Sequence, residues 1–195
     1  MNRRTRAFLT ACAVGATVLT MAPPTANATV SPGPAVAPEA STKRALAQLR
    51  QATARFRLPA AAIRSGYAAT KTCVDLPGVG AMGYHYANRA HLADGVLDVR
   101  RPEMLVYVRT RHGLRLGAVE FFQVDADQKI STNTDRPSLF GRHFDGPMLG
   151  HEPGMPIHYD LHVWLYKHNP AGMFGTWNPA VTCPGSSRST AAPSG

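Results

Sequence analysis

Helical spacing of apolar residues ends at Gly66, and the sequence beyond it alternates or turns. Before that point Leu46, Leu49, Thr53 and Phe56 fall on one face of a helix over 41–57, which Ser41 or Thr42 can cap. Pro59 interrupts this pattern, and 60–65 makes a short second helix. The later segments 82–87, 104–109, 114–124 and 157–167 read as strands, the middle two joined by a hairpin turn at 110–113. Helices first and strands after restrict the chain to an α+β fold. N-terminal helices should pack on one face of a mainly antiparallel, curved sheet or small open barrel. With 17 Gly and 16 Pro in 195 residues the domain is loop-rich, and the connection 138–156 is expected to cross the sheet's end.

The first residues read as an export signal. Arg3, Arg4 and Arg6 precede an apolar stretch from Ala7 to Ala22, and Ala26-Asn27-Ala28 fits a small-x-small cleavage site. Cleavage is placed after Ala28, giving a signal peptide over 1–28 and a secreted protein. The segment around Cys12 has too little apolar sequence before it for a lipoprotein signal, and the arginine spacing is one residue too long for a twin-Arg signal. A Pro- and Ala-rich linker spans 29–40, a single domain 41–184, and a Ser-rich disordered tail 185–195. Removing the leader takes the net charge from +9 to +6 and leaves two cysteines, Cys73 and Cys183. In an exported protein such a pair forms a disulfide. It would enclose 109 residues, for which chain entropy gives about 4–5 kcal/mol of stabilisation.

Seven basic residues and no acid lie between Ala40 and Thr72, and Lys43, Arg50 and Arg57 recur every seven residues as a stripe. The stripe reads either as a solvated face or as attraction to anionic cell-envelope polymers. Nucleic acid is not expected as a partner, since Phe56 alone among aromatics interleaves with the stripe.

All eight histidines fall between residues 85 and 168. In the strand that begins near Ile157, His158, Asp160 and His162 share one face, while Tyr159, Leu161, Val163 and Leu165 take the other. Trp164 and Tyr166 are expected to continue the polar face. Glu120 is the one carboxylate on a face with Leu114, Leu116, Ala118 and Phe122, and a buried carboxylate needs a partner. An arginine such as Arg64, Arg89 or Arg142 would make it a structural ion pair. His85, between Tyr84 and Tyr86, follows a glycine-rich stretch that permits close backbone approach. His85, Glu120, His158 and His162 are therefore expected to converge as metal ligands, with His151 and Asp160 in support. Imidazoles four residues apart on a strand are ~13 Å apart, so His158 and His162 need not share one ion. The donor set suits a divalent metal, zinc slightly ahead of copper or iron, although Met148 and Met155 leave room for copper.

The strings GAMGYHYANRAHLADGVLDVRRPEMLVY, LGAVEFF and FDGPMLGHEPGMPIHYDLHVWLYKHNPAGMF resemble those of small exported proteins of high-GC Gram-positive bacteria. The resemblance covers 42–184; it implies secretion and a single domain, and no catalytic assignment. No G-x-S-x-G, H-E-x-x-H or free-cysteine signature is present. The expected function is binding of a metal ion or small polar ligand in a His/Glu pocket, with hydrolytic or oxidative activity open. The alternative is a non-catalytic envelope-binding module using the basic helix.

Overall fold

Pro38–Thr53 forms helix α1, a 3₁₀ turn follows at Ala54–Phe56, and Pro59–Arg64 forms α2. The computed structural model describes residues 38–151 and 154–185; the expected signal peptide, the linker up to residue 37 and the tail from residue 186 lie outside them. α1 starts three residues before Ser41. Proline is tolerated in a first turn, where its missing N–H loses no partner, and Glu39 lies where the helix dipole favours an acid. Leu49, Thr53 and Phe56 are buried, as their spacing requires.

Six strands form one antiparallel sheet: β1 (Tyr67–Leu76), β2 (Gly80–Asn88), β3 (Met104–Thr110), β4 (Gly113–Val124), β7 (Asp145–Met148) and β8 (His158–Val163). Their order is β1-β2-β3-β4-β8-β7, so the sheet is open, with edges at β1 and β7. A small hairpin, β5 (Ser138–Leu139) and β6 (Arg142–His143), stands apart. The four strands read from the sequence are β2, β3, β4 and β8. The connection expected to cross the sheet's end instead supplies the edge strand β7. Between β2 and β3 lies a third helix, α3 (Arg89–Asp94), capped by Asn88 Oδ1, which accepts from the N–H groups of Ala90 and His91.

Alternation along the strands separates two unlike faces. On one, Tyr86, Leu105, Tyr107, Val119, Phe121, Tyr159, Leu161 and Val163 pack against Leu49, Phe56 and Ala62 of the helical segment. On the other, a smaller apolar cluster of Ala81, Val106, Val108, Ala118 and Trp164 is covered by Val181 and Cys183 from the C-terminal segment. The sequence pattern misplaces two residues on β4. Val106 pairs with Ala118 but Tyr107 pairs with Leu116, so Gly117 is an extra residue, a bulge. The bulge rotates Leu116 into the helix-facing core, where Leu114 also packs, and leaves Ala118 and Glu120 on the opposite face. Tyr166 likewise joins the helix side, because β8 ends at Val163 and alternation stops there.

A Cys73–Cys183 disulfide ties β1 to the C-terminal segment on the second face. The same segment bridges β2 directly: Ala81 and Asn178 exchange both backbone hydrogen bonds, at 3.2 and 3.1 Å. A Cβ on Gly80 would stand 2.5 Å from the Asn178 carbonyl oxygen, so only glycine allows this approach. Among the described residues no helix is long and apolar enough to cross a membrane.

Candidate metal centre

Three neighbouring positions on the second face bring His85, Glu120 and His162 together. Glu120 on β4 pairs directly with His162 on β8 and, on its other side, with Met104 on β3; His85 reaches in from β2 across Val106. All three residues are buried, and one donor atom from each lies within 4.8 Å of the others. His85 Nε2 is 3.0 Å and His162 Nε2 3.6 Å from Glu120 Oε2. Neither contact is aligned as a hydrogen bond: among the described residues Glu120 Oε2 and both nitrogens of His162 have no such partner.

The electrostatics follow from this packing. Burial pushes the Glu120 carboxyl up, but the charges of His162 and then His85 outweigh it and hold the group below the usual carboxylate range. Burial pushes His162 down, yet Glu120 and Asp160 together raise it well above an ordinary imidazole. His162 thus lies between two carboxylates, with its Nδ1 3.7 Å from Asp160 Oδ1.

A second group lies further along β8. His151, in the loop after β7, meets His158 and Asp160, again with donor atoms within 4.8 Å. Both groups face one cavity of about 300 Å³, lined by His85, Glu120, His151 and His158 together with Met82, Met104 and Met155. Asp160 and His162 lie beneath it, almost wholly inaccessible.

The four expected ligands therefore divide. His85, Glu120 and His162 converge, while His158 does not join them; it belongs with His151 and Asp160. The strand rise explains the split, since positions four apart on β8 cannot serve one ion. Glu120 meets no arginine among the described residues, so the structural ion pair with Arg64, Arg89 or Arg142 is not formed. The polar face of β8 is buried rather than solvated. Lys43 and Arg50 lie on α1 and Arg57 just after the 3₁₀ turn, all exposed and on the helix side, away from the cavity. Arg50 and Arg57 both stand over the Tyr166 ring, at 5.5 and 5.3 Å from its centre.

Sequence reasoning missed Met82 and Met104 as cavity walls. Met104 was legible, because it precedes Val106 and Val108 on the same alternating face. Met82 was not: Val74 pairs with Gly83 but Asp75 with Ala81, so Met82 is an extra residue on β2 and its orientation breaks alternation. Glu103 was also missed; it is buried and accepts the Phe122 N–H at 3.2 Å. No known protein family, curated protein or solved structure matches the chain.

Proposed function

We propose that this chain is an exported metal-binding protein whose primary centre is His85, Glu120 and His162, that the ion is zinc, and that a small polar ligand enters from the cavity. One observation carries the reading. Zinc bonded to nitrogen or oxygen at 2.0–2.1 Å in tetrahedral geometry sets its donor atoms about 3.3 Å apart. The separations from Glu120 Oε2, 3.0 and 3.6 Å, bracket that value while satisfying no hydrogen bond. A buried carboxylate and imidazole left in this state cost several times the free energy of a satisfied pair, and a cation removes the deficit.

The donor set of two imidazoles and one carboxylate supports zinc over copper. The thioethers of Met82 and Met104 line the cavity. Three protein ligands with a cavity on the remaining side is the form hydrolytic zinc sites take, so hydrolysis of a small polar substrate is the activity this centre suits. Imidazole ligands bind an ion only when deprotonated, so affinity falls as pH falls. The Cys73–Cys183 disulfide supports an oxidising compartment, consistent with export.

Elemental analysis of natively purified protein, followed by zinc titration of the chelator-stripped protein, tests the assignment. Bound zinc, and loss of at least 100-fold in affinity in His85→Ala and Glu120→Gln, are expected. Native protein free of metal, with a melting temperature unmoved by zinc, copper or iron, would end the reading.

A further inference from the structure

His151, His158 and Asp160 have features of a site in their own right. The His158 ring is fixed twice: it stacks on Phe122 with centres 4.5 Å apart, and its Nδ1 lies 3.0 Å from the Pro156 carbonyl oxygen. A carbonyl accepts only, so Nδ1 carries a hydrogen and Nε2 is the nitrogen left to meet a ligand. This is how a protein prepares a metal-binding imidazole, by pinning one nitrogen and presenting the other. His151 stands edge-on to that ring, centres 5.2 Å apart.

Asp160 is the second, independent observation. It is 1% exposed, and among the described residues neither carboxylate oxygen has a hydrogen-bond partner. Its nearest charged neighbour is His162 Nδ1, at 3.7 Å, too far for a normal hydrogen bond. His162 is shared with Glu120, so two buried carboxylates face one imidazole beneath the cavity. A carboxylate left unpaired there is expensive to bury without a cation.

We propose that His151, His158 and Asp160 bind a second divalent cation in the same cavity, coupled to the primary centre through Asp160 and His162. Two imidazoles and one carboxylate again select an ion of the zinc class. The second ion is the weaker and faster to exchange, because His151 is exposed where all three primary ligands are buried. Asp160 has two oxygens and serves both centres. One stands 3.7 Å from His162 Nδ1 and, on closing that gap, would direct Nε2 to the primary ion; the other would ligate the second ion. Loading either site fixes Asp160 for the other, so the coupling is favourable and reciprocal. The second site stands on its own residues; the coupling alone rests on the primary assignment.

Calorimetric titration of the chelator-stripped full chain with zinc alone tests this. Wild-type protein should bind two equivalents, one tight and one weaker. His151→Ala, an exposed position that leaves the fold intact, should lose the weaker equivalent. His85→Ala should lose the tight one and keep the weaker. Asp160→Asn, which preserves shape, should abolish the weaker site and reduce tight-site affinity 10- to 100-fold, the usual effect of removing an outer-shell partner. Two equivalents retained in His151→Ala, or a single wild-type equivalent indifferent to it, would overturn the second site. A single equivalent lost in His151→Ala but kept in His85→Ala would uphold the second site and overturn the primary one. Unchanged tight binding in Asp160→Asn would remove the coupling.

Discussion

The two faces of one sheet are built from the same strands and treat polar atoms in opposite ways. On the helix side Tyr107 donates to the Phe56 carbonyl at 2.7 Å, and Tyr67 to the Pro102 carbonyl at 2.8 Å. On the cavity side Glu120 Oε2, both Asp160 oxygens and both His162 nitrogens are without hydrogen bonds among the described residues. A protein with two apolar faces would fold more easily, since burying unsatisfied polar groups opposes folding. The helix face therefore supplies the stability, and the cavity face carries unsatisfied polar groups that a ligand could complete.

The largest effect that separates the faces should come from the disulfide. Reduction of Cys73–Cys183 frees the C-terminal cover of the cavity face from β1 and leaves the helix core untouched. Loss of about 4–5 kcal/mol is expected by chain entropy. Chemical denaturation with and without reductant measures it, and zinc affinity should fall in the same samples.

Next in size is an apolar cavity face. The combined variant His85→Leu, Glu120→Met, His162→Leu should bind no zinc at the primary centre yet fold as well as, or up to about 1–4 kcal/mol better than, metal-free wild type. Single replacement of Glu120 by Leu should do the reverse, because it strands the two imidazoles. A combined variant markedly less stable than metal-free wild type would show that the polar face contributes to the fold itself.

The smallest effect concerns Glu103, whose carboxyl burial pushes up to about 8. A group raised from about 4.5 on folding contributes stability that is full below pH ~4.5 and is lost as pH rises through 8. Glu103→Gln keeps the acceptor for the Phe122 N–H and removes the charge. The fall in stability between pH 5 and 8 should flatten, read from denaturation midpoints of the metal-free protein. An unchanged slope would mean that Glu103 ionises freely.

Much of this arrangement was legible in residues. Alternation identified β8 and assigned both its faces, and a lone carboxylate among apolar residues marked Glu120 as the centre of a site. β1 was not legible: its register breaks between Ala69 and Cys73, so no clean period survives. β7 was hidden for another reason, since Asp145-Gly-Pro-Met is poor strand sequence, tolerated only at an edge. The division of the histidines between two groups depended on which strands lie side by side. A sequence gives the ~13 Å between His158 and His162 but not that Glu120 faces one and His151 the other.

The bulge at Gly117 has a consequence for heredity. A side chain there would bring its Cβ within 2.9 Å of Val108 Cγ1, so substitutions at this codon are disfavoured by packing although no ligand is touched. Loss of the codon is worse. Without the extra residue, the two halves of β4 can no longer both keep their facing: either Leu114 and Leu116 turn into the cavity, or Glu120 and Phe122 turn into the helix core. In the second case an in-frame deletion of three nucleotides would disrupt the candidate site although every candidate ligand codon still read as intact.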